Sequence, residues 1–189
     1  MVYGMGINDS AEKVRPKDGP TCPYYVRWMS MIQRCYDKGA LSRDTKYVGV
    51  TVCDDWLTFS KFKAWMQQQD WKGKELDKDL LGGKIYSPET CLFIPPALNK
   101  FLTSGRSKTG GLVGTSYEAD RGKWKAIIKA PGGRRITLGR FDTELEAHKE
   151  YLANKAIYLL EFCDTKDMAL LSAINKAVSS MLWTICHAE

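Results

Sequence analysis

The feature that most constrains the fold is an abrupt change of charge in the second half of the chain. Residues 121–140 contain seven Lys or Arg and no Asp or Glu, whereas residues 141–150 contain four acids and one Lys. A Pro-Gly-Gly turn at 131–133 predicts two basic strands, and Thr143 with Glu146 predicts a capping box that opens a helix. A positively charged sheet backed by a helix is suited to phosphate groups.

Each basic strand is expected to carry different side chains on its two faces, because successive side chains in a strand alternate. The face expected to pack against a helix holds Trp124, Ala126, Ile128, Ile136 and Leu138. The face expected to point the other way holds Lys123, Lys125, Ile127, Lys129, Arg135, Thr137 and Gly139. One face therefore packs, and the other presents positive charge to the solvent.

Composition sets the size of the fold and permits a nucleic-acid partner. A chain of 189 residues can form one ordinary domain or two small ones. Its apolar content of 44% is enough for real cores. Its net charge of +6 is compatible with nucleic-acid binding without requiring it.

The cysteines and the apolar segments indicate the cellular compartment in which the protein is expected. Six cysteines without a Cys-x-x-Cys pair lack the usual zinc spacing, so no zinc is expected and reduced, buried thiols are favoured over disulfides. The start of the chain lacks the features of a signal peptide, and no segment reaches the roughly 20 apolar residues of a membrane span. We therefore expect a cytoplasmic protein with no membrane partner.

The polar, glycine-rich and acid-free stretch 103–111 predicts a linker between two modules. The predicted divisions are a loosely ordered N-terminal arm at 1–22, a first module at 23–102, a second module at 112–162 and a C-terminal helix at 163–189. The C-terminal helix is amphipathic. We expect it either to pack on the body or to pair with a second chain or a host protein.

Apolar spacing predicts the elements of the first module. Residues 23–36 and the residues after Thr58 have helical periodicity, with Thr58 as the N-cap of the second helix and aromatic stripes expected to lie in the core. Strands are predicted at 48–53, 75–81 and 91–94.

The second module resembles the AP2/ERF DNA-binding domain. The matching residues are Leu112, Val113, Gly114, Gly122, Lys123, Trp124, Ile128, Lys129, Leu138, Gly139, Phe141, Asp142, Thr143, Glu146, Ala147 and Tyr151. The resemblance implies a three-stranded antiparallel sheet, packed on one helix, that lies in the major groove of double-stranded DNA. The residues that it places against DNA, together with two further cations of the basic run, are Ser116, Lys123, Lys125, Ile127, Lys129, Arg134, Arg135, Thr137 and Arg140.

The first module resembles the HNH-like proteins of bacteriophages, in which an AP2 domain often follows. The matching residues are Trp28, Met31, Arg34, Cys35, Tyr36, 49–56, Phe59, Phe62, Leu76, Asp77, Lys78, Gly83, Lys84, 86–91 and Asn99. In HNH nucleases two strands and a helix hold one divalent metal beside a His that deprotonates water. The chain has Lys78 at the position of that His, and its two histidines, His148 and His187, lie outside the module.

The HNH resemblance implies a candidate catalytic site. In a catalytic version Asp77, Asp79 and Asn99 would hold Mg²⁺ or Mn²⁺, and Lys78 or Lys84 would stabilise the charge of the phosphate. Thr90 stands where the family has an asparagine, and a carboxylate site with Glu89 nearby is a further expectation.

Taken together, the patterns and resemblances predict an α+β protein. It would have an N-terminal HNH-like ββα module with flanking helices, then an AP2-like three-stranded antiparallel sheet on one helix, then a C-terminal amphipathic helix. The leading hypothesis is a phage-type, sequence-directed DNA-binding protein, either a metal-dependent homing or nicking endonuclease with a degenerate active site or a descendant that kept binding and lost cleavage. The alternative is a non-catalytic interaction protein that binds host machinery, structured RNA or an acidic protein surface.

Overall fold

The computed structural model describes residues 1–103, 111–164 and 166–188. Over these residues the chain is a mixed α+β protein with six α-helices and a three-stranded antiparallel sheet followed by a C-terminal helix. It forms two compact units, Met1–Phe93 and Ile94–Glu189. Most of the predicted linker, 104–110, falls outside the described residues. The helix that precedes it belongs to the second unit, whereas the sequence had assigned it to the first module.

The first unit combines three helices with short strands. Its elements are α1 (Pro23–Tyr36), α2 (Lys38–Arg43), β1 (Thr51–Val52), α3 (Phe59–Gln67), β2 (Glu75–Asp77), β3 (Ile85–Tyr86) and β4 (Leu92–Ile94), the last of which crosses into the second unit. Strand β1 pairs with β3 in parallel, and β2 pairs with β4.

The predicted strand at 48–53 is reduced to two residues. Gly49 has a φ of 77°, a left-handed conformation that an extended strand does not contain. The amide of Val50 donates to the carbonyl of Tyr47 at 3.0 Å, so the chain turns there before it pairs. Only Thr51 and Val52 remain to join β3.

The core of the first unit forms between α1 and α3, as the aromatic spacing predicted. Trp28 and Ile32 of α1 and Phe62 of α3 are fully buried. The indole Nε1 of Trp28 donates to the carbonyl of Trp56 at 2.7 Å, which satisfies its polar atom inside the core. These aromatic residues therefore hold the unit together.

Part of the N-terminal arm, which the sequence predicts to be loosely ordered, packs within the first unit. Ile7 forms a parallel bridge with Thr58: its amide donates to the carbonyl of Leu57 at 2.8 Å, and its carbonyl accepts from the amide of Phe59 at 2.9 Å. Gly6 lies against the buried indole of Trp28, close enough that an added Cβ would be 2.9 Å from the ring. The arm packs because these backbone groups find partners at the start of α3.

The second unit is a sheet covered by helices. Its elements are α4 (Pro96–Thr103), β5 (Thr115–Glu118), β6 (Lys123–Lys129), β7 (Arg135–Phe141), α5 (Glu144–Leu160) and α6 (Met168–His187). The strand order is β5-β6-β7. Ala126 and Ile128 of β6 pack towards α5, where Ala147, Tyr151 and Leu159 are buried.

Helix α6 packs on α5 through the first part of its length. Leu170, Ala173 and Ile174 are buried, whereas no residue between 175 and 187 is. The most apolar window of the helix has a mean hydropathy of 1.3, and 17% of it is buried. By length and composition α6 therefore meets the criterion for a membrane span, which the sequence analysis had not expected. Core helices of soluble proteins meet the same criterion.

Candidate functional site

The antiparallel register of the second unit gathers the predicted DNA-binding residues on one face of the sheet. Ser116 lies opposite Lys125, which lies opposite Arg140 on the far strand. We call this face the basic face, defined by Ser116, Glu118, Lys123, Lys125, Ile127, Lys129, Arg135, Thr137 and Arg140. Arg134 lies just before β7, where its carbonyl accepts from the amide of Ala130 at 2.9 Å.

A β-bulge decides which residues of β7 lie on the basic face. The register shifts between Ala126 and Ile127, so that Gly139 lies opposite Ala126, which is fully buried. The expectation that Gly139 shares a face with Arg135 was therefore wrong. The bulge adds one residue to β7 and returns Arg140 to the basic face, opposite Lys125.

Side chains of α5 form hydrogen bonds with the segment that leads into β5. The Nδ1–H of His148 donates to the carbonyl of Val113 at 2.8 Å. The carboxylate of Glu144 accepts from the amide of Leu112 at 2.7 Å and from the hydroxyl of Thr115 at 2.9 Å. The capping box is present, with Glu146 accepting from the amide of Thr143 at 3.0 Å.

Glu118 is a residue of the basic face that the sequence analysis did not include. One of its carboxylate oxygens accepts from the Nε–H of Arg140 at 2.6 Å, and the other accepts from the ammonium of Lys125. Hydrogen bonds from Arg140 and Lys125 lower the pKa of Glu118 to about 2. Glu118 lies two residues after Ser116 on β5 and therefore on the same face of the strand.

The remaining cations of the basic face differ in their partners. The ammonium of Lys123 pairs with Asp142, whose side chain is 78% exposed. Within the described part of the chain, neither Lys129 nor Arg135 forms an ion pair. Both are exposed and lie opposite one another at the end of the sheet. These two cations are therefore available to an anionic ligand.

In the first unit the candidate catalytic lysine, Lys78, is buried and forms an ion pair. The side chain of Lys78 is only 6% exposed, and its ammonium pairs with Asp79 at 2.5 Å. The ammonium also lies 5.7 Å from the ring centres of both Tyr47 and Tyr86. Lys84, the other candidate, is exposed, and its carbonyl accepts from the amide of Thr51 at 2.9 Å.

The candidate metal ligands have different surroundings. Asp77 is buried and accepts from the amide of Leu80 at 2.8 Å, and burial raises the pKa of its carboxyl. Asp79 is exposed and paired with Lys78. Asn99 lies in the second unit, on α4, where its carbonyl accepts from the hydroxyl of Thr103 at 3.0 Å.

Two further residues near the candidate site form hydrogen bonds within or next to their own turn. Glu89 accepts from the hydroxyl of Ser87 at 2.7 Å within its own turn, and Thr90 donates to the carbonyl of Ile85 at 2.6 Å. Among the described residues, no group of three His, Cys, Asp or Glu side chains could hold a metal ion. A Mg²⁺ or Mn²⁺ site at Asp77, Asp79 and Asn99 stays a prediction of the resemblance.

The cysteines are all free, and two of them, Cys35 and Cys91, are buried. Burial raises the pKa of the Cys35 thiol to about 11 and that of Cys91 to about 12. Both thiols are therefore protonated at neutral pH, which makes them poor nucleophiles.

Comparison with known proteins gives no assignment for either unit, since no family model, no curated protein and no solved structure matches this chain.

Proposed function

We propose that the protein binds double-stranded DNA through the basic face of its second unit. The observation that carries the proposal is the cross-strand arrangement of five cations, Lys123, Lys125, Lys129, Arg135 and Arg140, on one side of a sheet whose other side packs on α5. A cluster of this kind attracts a polyanion, because neutralising phosphates releases the counterions condensed on DNA.

The dimensions of the sheet support the major groove as the site of contact. Three strands at a spacing of about 4.8 Å span roughly 10 Å from the first backbone to the third. The major groove of B-DNA is about 12 Å wide and admits a small β-ribbon. Three neutral residues lie between the cations, and their side chains are short enough to approach base edges: Ser116, Ile127 and Thr137.

An AP2-like identity for the second unit belongs to this proposal. The sheet order β5-β6-β7, the helix α5 behind it and the capping box at Thr143 agree with what the resemblance implies. An HNH-like identity for the first unit, with an endonuclease activity, stays a prediction. That activity has no support from the first unit, because the ammonium of Lys78 is ion-paired and the carboxyl of Asp77 is buried. Binding is therefore the function that we propose.

Amide chemical shifts test the site of binding. We expect titration of the isotope-labelled chain with a random-sequence duplex to shift amides of β5, β6 and β7 most strongly. The exposed end of α6, residues 175–187, serves as an internal control that should not shift. Shifts confined to the first unit, or no shifts at low salt, would contradict the proposal.

A further inference from the structure

Glu118 is a carboxylate at the end of the edge strand β5, on a surface that is otherwise cationic or neutral. Its side chain is 16% exposed, and it lies between Lys125, at 23%, and Arg140, at 42%. The guanidinium of Arg121 approaches the same carboxylate at 3.9 Å. At this end of the basic face one carboxylate thus lies among three cations, whereas Lys129 and Arg135, at the opposite end, carry unpaired positive charge.

The end of the face that holds Glu118 and the end that holds Lys129 and Arg135 suit different parts of a nucleic acid. Glu118 is ionised at neutral pH, since hydrogen bonds from Arg140 and Lys125 lower the pKa of its carboxyl. A carboxylate repels a phosphate but accepts hydrogen bonds from neutral donors. Phosphates are therefore expected at Lys129 and Arg135, and base edges at Glu118.

Hydrogen-bonding capacity remains at Glu118 and Arg140 after their contacts with one another and with Lys125 are made. An ionised carboxylate has about four acceptor positions, of which Lys125 and Arg140 use two. Arg140 uses its Nε–H for Glu118, so the terminal N–H groups of its guanidinium remain as donors. Glu118 and Arg140 can thus offer an acceptor and a donor side by side.

Of the four bases, cytosine presents the best match to this acceptor. Its major-groove edge offers the N4 amino group as a donor, whereas guanine offers only acceptors and thymine offers an acceptor and a methyl group. Adenine offers a donor, but its neighbouring N7 acceptor would face the negative carboxylate.

We propose that Glu118 is a specificity-determining residue, which holds Lys125 and Arg140 in place and accepts a hydrogen bond from the amino group of one cytosine in the major groove. This inference rests on the proposed function, because it requires the basic face to meet duplex DNA. It assigns base recognition to a residue whose charge is opposite to that of its surroundings.

Selection from a pool of duplexes with a randomised central segment tests the inference. The full-length native chain, Glu118→Gln and Asp142→Asn are each used to retain duplexes, which are then sequenced. Asp142→Asn is the matched control, because it also removes a carboxylate that pairs with a lysine of the basic face, Lys123. Both variants gain one positive charge, so both should bind random duplex more tightly.

Only Glu118→Gln is expected to change base preference. The native chain should enrich a sequence with one conserved cytosine. In Glu118→Gln that cytosine should be replaced by adenine or by no preference, because an amide can bond to both N6 and N7 of adenine. The other enriched positions should stay as they are, and Asp142→Asn should enrich the native sequence.

The contrary outcomes are distinct. An unchanged preference in Glu118→Gln, or a loss spread evenly over all positions, would overturn the role of Glu118. Retention of duplex without any enriched sequence by the native chain would overturn it as well, while leaving DNA binding intact. No retention at all would instead refute the proposed function. If circular dichroism shows that Glu118→Gln does not fold, Glu118→Asp keeps the charge, shortens the side chain and should weaken the same position alone.

Discussion

At the scale of single residues, Gly114 fixes the contact between β5 and α5. It has a φ of 82°, and a Cβ added there would lie 2.2 Å from the ring of Tyr151, which is buried. Its carbonyl accepts from the amide of Ile127 at 2.8 Å, so the backbone has little freedom to move away. The glycine is required both by its left-handed conformation and by the close approach of the aromatic ring.

We expect Gly114→Ala to destabilise the second unit strongly. A left-handed conformation costs an alanine about 1–2 kcal/mol, and overpacking a filled site adds about 1–3 kcal/mol. Gly122→Ala is the control, because Gly122 also has a positive φ, 60°, but has nothing within 4 Å of an added Cβ. Hydrogen exchange of the amides of β6 measures the free energy of opening. Equal losses in the two variants would show that the contact with Tyr151 contributes nothing.

Residues of the basic face show how far single positions could be predicted from the sequence. Strict alternation correctly grouped Lys125 and Lys129 on the face away from the helix, because β6 is regular there. Alternation failed for Gly139, because the residue types of β7 do not indicate a β-bulge. The pairing of Glu118 depends on which strands lie side by side, and that is a property of the folded sheet.

At the scale of elements, helix α3 is capped by a residue that is distant from it in the sequence. Thr58 occupies the N-cap position, as the sequence predicted, but its side chain makes no capping hydrogen bond. The carboxylate of Asp9 instead accepts from the amide of Ser60 at 2.9 Å and from its hydroxyl at 2.5 Å. The N-terminal arm therefore stabilises the first turn of α3.

We expect Asp9→Ala to destabilise the first unit by about 1 kcal/mol, the usual effect of losing a capping side chain. Thr58→Ala should cost less, because no capping bond is lost. The hydrogen bond from the Ser60 hydroxyl lowers the pKa of Asp9, so this stabilisation is present at neutral pH and is lost as the pH falls below about 4. Hydrogen exchange of the α3 amides at pH 7 compares the two variants. A larger loss in Thr58→Ala would contradict this assignment.

Helices were easier to predict than short strands, for a physical reason. The bounds of α1 and the capping box of α5 follow from local spacing and local hydrogen bonds. Strands β1 and β3 contain two residues each and exist because they pair with one another across an intervening helix. Two residues carry too little periodicity to be recognised, and β3 was not predicted at all.

At the scale of the whole molecule, the chain combines two units with different chemical character. The first contains a large aromatic core and a candidate catalytic lysine that is buried and paired with Asp79. The second exposes a sheet face with five cations and one carboxylate. Fold alone does not assign a function, so the proposal rests on the charges of the second unit.

The dependence of DNA affinity on salt is the measurement that tests the central claim most directly. Five cations less the two carboxylates that pair with them, Glu118 and Asp142, leave a net charge of +3, so the face should contact about three phosphates and give a log–log slope of about −3 for a random-sequence duplex. Removing the unpaired cations with Lys129→Ala and Arg135→Ala together should make the slope shallower by about 2. Lys176→Ala, which removes an exposed charge on α6, should leave the slope unchanged. A slope near zero for the native chain, or an equal change in the control, would contradict binding through the basic face.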